Sequence, residues 1–282
     1  KIKKQYEIKS LILSTAIAVL ALSCSKDDSN NAASNDLSDA KVNAKIDLVT
    51  EDVGKIVDEQ FALQANPSAG RNSQEASALP SCVTVDIQLT ANSWTRTLTF
   101  DNCELPNGNV LDGTIIVSGS LNFDAPSQTI SYSFVDFHHN DILVEGNRTV
   151  VRSIQSTSAQ AAPHPVANMS IDMHVTFPNG NEYHRVGNRI REMIEGFGTP
   201  MIWADNVFTI SGNWTTTFPA GTRTSTITTP LRAEANCPHI VSGVITTVRD
   251  NNTATLDYGN GDCDNQATLT VNGNSTTITL GN

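Results

Sequence analysis

Basic residues are scarce in this chain, and their scarcity argues against some classes of binding partner. The 282 residues include 18 Lys and Arg against 29 Asp and Glu, which gives a formal net charge of −11. An acidic surface repels nucleic acids and anionic lipid headgroups. The composition therefore argues against a nucleic-acid partner.

Long apolar runs are also lacking. The main one covers residues 11–22, whereas a helix that spans a bilayer needs about 20 apolar residues. The run follows a positively charged start, with Lys1, Lys3, Lys4 and Lys9. A short apolar segment behind a basic flank is typical of a signal peptide.

A cysteine follows this segment in a recognisable setting. Leu20-Ala-Leu-Ser-Cys24 resembles the lipobox of bacterial lipoproteins, and Ser25-Lys26-Asp27-Asp28 resembles the surface-export signal of Bacteroidota lipoproteins. Through these motifs the chain is similar to the β-rich outer-membrane and surface lipoproteins of Bacteroidota, which share no single activity. The resemblance implies cleavage before Cys24, acyl chains such as palmitate on that cysteine, and an outer-membrane position facing the cell exterior. An ordinary secreted protein with an incidental Cys24 is the alternative.

Common catalytic signatures are absent from the sequence. Neither Gly-x-Ser-x-Gly nor His-Glu-x-x-His occurs, so the usual patterns of α/β-hydrolase nucleophiles and of zinc proteases are missing. The sequence therefore predicts no catalytic residue.

Five cysteines are present, and the lipid would use Cys24. The other four are expected to form disulfides in an oxidising compartment, where three connectivities are possible. We favour Cys82–Cys103 and Cys237–Cys263, because each pair encloses a predicted strand, a turn and a second strand. Zinc is the rival interpretation, although no Cys-x-x-Cys spacing occurs.

Composition and periodicity divide the chain into five segments. Apolar residues at spacings of three and four predict a helix whose stripe packs on a sheet or, alternatively, in a coiled coil. Polar residues without periodicity predict disorder before it. The segments are a signal peptide (1–23), a lipidated disordered tether (24–37), an amphipathic helix (38–64), a linker (65–80) and an antiparallel β domain (81–282).

The last segment alternates Val, Ile and Thr with polar residues, and Asn107-Gly108, Asn179-Gly180 and Asn272-Gly273 are hairpin signals. No helical periodicity interrupts it. The predicted fold class is mainly β, a curved and mostly antiparallel meander with one N-terminal amphipathic helix.

A short phrase, a β-branched residue followed by Ser or Glu and then Gly, recurs at Gly119, Gly146, Gly212 and Gly243. Glycine inside a strand marks a bulge, a bend or a close backbone approach. We therefore predict hairpins that bend at these glycines.

Arginine replaces lysine in the β region, which has nine Arg and no Lys. Arg185, Arg189 and Arg191 crowd beside Tyr183, and arginine binds carboxylates and phosphates through paired hydrogen bonds. This cluster is a candidate site for an acidic glycan or a phosphate group. The alternative is a set of cross-strand ion pairs with nearby acidic residues: Glu182, Glu192 and Glu195.

Two further groups are candidate metal ligands. Asp257, Asp262 and Asp264 crowd one loop and could hold a structural calcium ion, although Asp is also an ordinary turn residue. His174 and His184 flank the Asn179-Gly180 turn, and a two-residue turn would place their rings on opposite faces. We therefore expect no shared metal between them, and no other cofactor.

The sequence as a whole predicts a membrane-anchored, surface-exposed lipoprotein that acts as a binding or structural accessory module. Its expected partner is a glycan or an outer-membrane protein. A hydrolase of surface or extracellular polymers is one alternative, and its signature would be two carboxylates about 5–9 Å apart in a cleft. A subunit of an outer-membrane protein complex is the other.

Overall fold

The structure is a computed structural model that describes residues 27–65, 79–199, 202–250 and 252–280. Within these ranges one α-helix, α1 (Asp27–Ala65), precedes fourteen strands that form one sheet. Trp203–Asp205 forms a short 3-10 turn. All strand pairs are antiparallel, so the predicted fold class is confirmed.

The strands alternate buried and exposed residues, as expected for a sheet with one face on a core. Their bounds, in chain order, are β1 (Thr84–Leu89), β2 (Ser93–Glu104), β3 (Val110–Ser120), β4 (Ser127–His139), β5 (Ile142–Glu145), β6 (Asn147–Gln155), β7 (His164–Thr176), β8 (Glu182–Glu195), β9 (Val207–Phe218), β10 (Gly221–Glu234), β11 (Ile240–Arg249), β12 (Asn252–Asn260), β13 (Gln266–Val271) and β14 (Asn274–Thr279).

The sheet is a meander in which strands pair mainly with their neighbours in the sequence. The exception is the pair β5 and β6, which both lie between β4 and β7. Gly146 separates them with φ +114°, and a Cβ at this position would lie 2.5 Å from the carbonyl oxygen of Asp172. The two strands are therefore one strand that is interrupted at a glycine.

The predicted role of the repeated glycines is confirmed at three positions. Gly146, Gly212 and Gly243 have positive φ, and a Cβ on any of them would collide with the backbone of a neighbouring strand. Gly119 serves close packing in another way, since a Cβ there would lie 2.9 Å from the ring of Trp94.

The helix α1 lies inside the curve of the sheet. Strands from distant parts of the sheet contact it: Arg96 of β2 donates to Gln60 and Gln64, and Arg223 of β10 donates to Asp39. Apolar and charged helix residues between Ala40 and Gln64 are buried alike. The sheet therefore curves around α1, and the helix is buried on more faces than its apolar stripe alone predicts.

The helix is also longer than predicted. It begins at Asp27 and ends at Ala65, so it covers the whole of the predicted helix 38–64. Once a buried segment fixes a helix, each further residue adds a hydrogen bond without a new nucleation cost.

Two disulfides confirm the predicted pairing. Cys82 is joined to Cys103 and Cys237 to Cys263, with Cα–Cα distances of 5.7 and 5.8 Å. The rival zinc interpretation is thereby removed for these four residues. Cys24 and the predicted signal peptide lie outside the described residues, as does most of the predicted linker.

Candidate functional site

The predicted arginine cluster points into the fold rather than to the surface. Arg185 and Arg189 are 0% and 2% exposed, and both bind Asp47 of α1, at 2.5 and 2.8 Å. Their guanidinium carbons lie 5.0 and 4.4 Å from the ring centroid of Trp214. Burial lowers the pKa of Arg185 to about 10 while the charge of Asp47 opposes this shift, so the group stays charged at neutral pH.

Arg191 and Tyr183 are also drawn inward. Arg191 pairs with Glu51 and Asp58 of the helix, and Tyr183 is buried with its ring against those of Phe177 and Phe218. The partners of the three arginines are therefore helix acids, which corrects both predictions: the cluster is no surface ligand site, and its ion pairs do not use the nearby strand acids Glu182, Glu192 and Glu195.

The same inward direction explains why the β region uses arginine. Guanidinium groups supply five donors and are less strongly hydrated than ammonium groups, which suits buried ion pairs. Two of the nine, Arg232 and Arg249, are partly exposed and pair near the surface. The other seven are mainly buried in the fold and several bind α1: Arg96, Arg148, Arg152, Arg185, Arg189, Arg191 and Arg223.

One face of α1 contributes residues to the walls of two cavities. Its residues follow one another at spacings of three and four, which places them on a single helix face. We call this the groove face, and it consists of Lys45, Leu48, Asp52, Lys55 and Glu59.

A large cavity adjoins the N-terminal part of the groove face, at Lys45 and Leu48. Its volume is about 830 Å³, within the range of small-molecule sites. Strand ends and turns supply its other walls: Asn102, Val110, Asp112, His138, His139, Asn140, Asp141, Ile142, Phe177 and Pro178. Carboxylates, amides and imidazoles thus face the same space as an aromatic ring.

A small cavity of about 200 Å³ adjoins the C-terminal part of the groove face. Its walls include Leu105, Pro106 and Phe208, so they are largely apolar. Lys55 lies on this wall and donates to the carbonyl oxygen of Pro238 at 3.0 Å. Burial lowers the pKa of Lys55, and the charge of Asp52 partly opposes this.

A buried polar network lies between the two cavities. Asp52 is 3% exposed and accepts hydrogen bonds from Asn107, Asn109 and His139, each at 2.8 Å. Burial by itself raises the pKa of Asp52, but the hydrogen bond and charge of His139, with Lys55 and Asn107, bring it below the usual value.

His139 belongs to this network and also lines the large cavity. Its Nε2 bonds to Asp52, while its buried Nδ1 has no hydrogen-bond partner among the described residues. This nitrogen is therefore a buried polar atom beside the large cavity that no group among the described residues satisfies.

Sequence reasoning missed this network, although one signal was present. The β-region arginines and the helix acids at positions 47, 51 and 58 are charges of opposite sign in segments that must pack together. If these charges pair across the core, the sheet must lie around the helix. The face of α1 that carries Lys45 and Lys55 is then left to line the two cavities.

The predicted calcium ligands do not converge. Asp257 and Asp264 cap local turns by accepting from Gly259 N and Gln266 N, both at 2.9 Å, and Asp262 is exposed beside them. These aspartates are not among the described side chains that cluster at metal-ligand distances. The turn interpretation of this loop is the one that the structure favours.

The prediction for His174 and His184 was wrong. They are direct partners on β7 and β8, with parallel rings whose centroids lie 4.0 Å apart. The hairpin closes at Phe177 and Asn181 around a three-residue loop, not the two-residue turn that we assumed. A shift of one residue moves a side chain to the other face of a sheet, so both rings share the outer face.

No described helix combines the length and the apolar character needed to cross a membrane. Comparisons with models of protein families, with curated proteins and with solved structures found no match to this chain.

Proposed function

We propose that this protein is a lipid-anchored binding module, exported and held by Cys24 at the outer membrane, facing the cell exterior. We further propose that its ligand is a hydroxyl-rich one, a segment of a glycan, bound in the large cavity. The observation that carries this proposal is the cavity itself, whose volume of about 830 Å³ and polar lining suit such a ligand.

The polar groups of the large cavity match what sugar hydroxyls need. A hydroxyl both donates and accepts, and Asp112, Asp141 and Asn140 offer acceptors and an amide donor on the cavity wall. The Nδ1 of His139, buried beside the cavity, has no hydrogen-bond partner among the described residues. The carboxylate acceptors on this wall favour a ligand that brings its own O–H donors.

The apolar groups of the cavity support the same class of ligand. Phe177 and Pro178 form part of the wall at the start of the β7–β8 loop. The carbon-bound faces of sugar rings are apolar and pack against aromatic and prolyl rings, while their edges carry the hydroxyls. One apolar wall beside several polar groups thus fits a sugar better than a purely apolar ligand.

A glycan array on the purified full-length protein in detergent tests the binding proposal. Phe177→Ala and Asp141→Asn should each weaken binding to the glycans that the wild type captures, by more than about tenfold. Lys45→Gln, on the wall of the large cavity, should also weaken binding. Its matched control is Lys41→Gln, one turn earlier and outside both cavities, which should bind as the wild type does. If the wild type captures no glycan, or if Lys41→Gln and Asp141→Asn behave alike, the large cavity is not the binding site.

A hydrolase of surface polymers is the second candidate, because Asp112 and Asp141 line the same cavity. Glycoside hydrolysis uses two carboxylates on either side of the scissile bond. Incubation with the captured glycan separates the two functions. Release of shorter products by the wild type, and their absence with Asp112→Asn, would establish the hydrolase; intact glycan after prolonged incubation supports a binding module.

The anchor is tested separately in the producing bacterium. Cys24→Ser should release the protein from the membrane fraction, because the acyl chains supply the membrane affinity. Protease added to intact cells should digest the wild type if it faces the exterior. Full protection without permeabilisation would contradict surface display and would leave the binding proposal untouched. A pull-down from solubilised membranes tests the remaining alternative, a subunit of a larger complex.

A further inference from the structure

The outer face of the sheet carries a His-His-Asp cluster whose residues line neither cavity. Among the described residues, Asp172, His174 and His184 are the one set of three potential ligands whose ligand atoms all lie within 4.8 Å of one another. Their strand neighbours Met173 and Arg185 are buried toward the helix side. The cluster therefore faces away from α1 and from both cavities.

The geometry of the cluster is set by strand register. His174 and His184 lie opposite each other on β7 and β8, with an angle of 5° between their rings. The Nε2 of His184 lies 2.7 Å from the Oδ1 of Asp172. Because paired strands already hold the two imidazoles side by side, little conformational entropy is lost when both bind one ion.

The local charge favours a cation. Glu145 is the cross-strand neighbour of His174 on β5, and Glu182 precedes His184 by two residues on the same face of β8. With Asp172, three exposed carboxylates surround two imidazoles. Their negative potential raises the local concentration of cations.

We propose that Asp172, His174 and His184 form a binding site for one Zn²⁺ ion. Imidazole nitrogen and carboxylate oxygen are common zinc ligands, at about 2.0–2.2 Å. The side chains are exposed or half-buried, so the rings have room to rotate out of their stacked arrangement and bring their nitrogens to those distances. Three protein ligands leave a fourth position for water, as in zinc sites that interact with a further ligand.

The donor set also selects against the commonest alternative ions. Calcium and magnesium prefer oxygen ligands and are poorly served by two imidazoles. A bound zinc ion would link β7 to β8 beside the loop that contributes Pro178 to the large cavity. The site shares no side chain with the cavity wall, so its failure and that of the proposed function are separate outcomes.

Isothermal titration of the full-length protein, purified in detergent and freed of any histidine tag, tests the site with ZnCl₂. The wild type should bind one zinc ion per chain and give no heat with CaCl₂. His174→Gln and His184→Gln should each weaken zinc binding by more than about tenfold, and Asp172→Asn should weaken it as well.

Two matched controls make this result specific. His239→Gln removes an imidazole elsewhere, and Asp86→Asn removes an exposed carboxylate on β1, far from β7 and β8 in the strand order; neither should change the zinc affinity. Circular dichroism without metal establishes that each variant is folded. Substitution with Co²⁺ should give the visible absorption of a tetrahedral site in the wild type and not in His184→Gln. No zinc binding by the wild type, or equal losses in His239→Gln and His184→Gln, would overturn the proposal.

Discussion

Asp47 of α1 and Arg185 of β8 form a buried ion pair although 138 positions separate them in the chain. Their side chains are 4% and 0% exposed, so each charge has lost its hydration and depends on the other. Asp47 also binds Arg189, which makes this carboxylate the centre of the contact between helix and sheet. The pair therefore fixes where α1 lies along the sheet.

Asp47→Asn should lower the free energy of unfolding by about 3–5 kcal/mol, because it leaves two guanidinium groups buried with less compensation. Urea denaturation followed by circular dichroism measures the change. Asp86→Asn, on exposed strand β1, is the matched control and should stay within about 0.5 kcal/mol of the wild type. A loss of similar size in both variants would mean that the buried pair has no special role.

Removing both partners is a sharper test of the same pair. The double variant Asp47→Leu/Arg185→Leu leaves no lone charge at position 185, and Arg189 keeps its contact with Glu51. Its loss of stability should be smaller than the sum of the two single losses, by about 0.5–3 kcal/mol. Additive losses would show that the two residues act independently.

Asp52 should make stability depend on pH in the acid range. Burial raises its pKa, but the hydrogen bond and charge of His139 outweigh this and leave the folded pKa below 3.8. The unfolded state therefore binds more protons in this range, so the stabilisation is present above pH 3.8 and is lost as pH falls through the folded pKa.

Asp52→Asn should flatten this part of the stability curve, which urea titrations at a series of acid pH values can measure. At neutral pH the variant should lose about 1–3 kcal/mol, because His139 then donates to an uncharged acceptor. A curve below pH 3.8 with the slope of the wild type would show that other carboxylates control acid unfolding.

The sequence predicted local features well because short-range chemistry determines them. The disulfides followed from strand-turn-strand segments, and the bends at Gly146, Gly212 and Gly243 followed from glycine inside β-branched runs. The site was out of reach because it depends on contacts between distant segments. Asp52 meets His139 only after the sheet has curved around α1, and no local pattern indicates which helix residues will meet which strand residues.

The register of the β7–β8 hairpin was the second feature that the sequence did not predict correctly, and it depends on one loop residue. Pro178 joins Asn179 and Gly180 in the β7–β8 loop, which makes the loop three residues long. The pairing of His174 with His184 follows from that length, and with it the candidate zinc site. A strand's side chains alternate between faces, so an error of one residue in a turn reverses every inference about its faces.

Gly212 should be among the least replaceable glycines. Its φ is +136°, and a Cβ would lie 2.3 Å from the carbonyl oxygen of Asn188 on the paired strand β8. Gly212→Ala should therefore cost about 2–4 kcal/mol of unfolding free energy through both backbone strain and overlap.

Gly273 provides the matched control for this position. It also has positive φ, +83°, but a Cβ there meets nothing within 4 Å, so Gly273→Ala should cost only the backbone term of about 1–2 kcal/mol. Thermal and urea unfolding of both variants measure the difference. Equal losses would mean that the close approach of β8 and β9 at Gly212 contributes nothing.

The disulfide Cys237–Cys263 should stabilise the C-terminal strands and the wall of the small cavity together. It closes a loop across 26 positions, and a cross-link of this span contributes about 3 kcal/mol by restricting the unfolded chain. The carbonyl oxygens of Cys237 and Pro238 accept from Lys55 of α1, so the same cross-link holds this segment against the helix.

Cys237→Ala/Cys263→Ala should therefore lower the unfolding free energy by about 3 kcal/mol and increase amide hydrogen exchange over residues 235–238. Cys82→Ala/Cys103→Ala, which opens a loop of similar span, should lose similar stability without faster exchange at 235–238, because the carbonyl oxygens that Lys55 binds belong to the other cross-linked segment. Faster exchange at 235–238 in both variants would show that the effect is global destabilisation and not release of the segment that Lys55 binds.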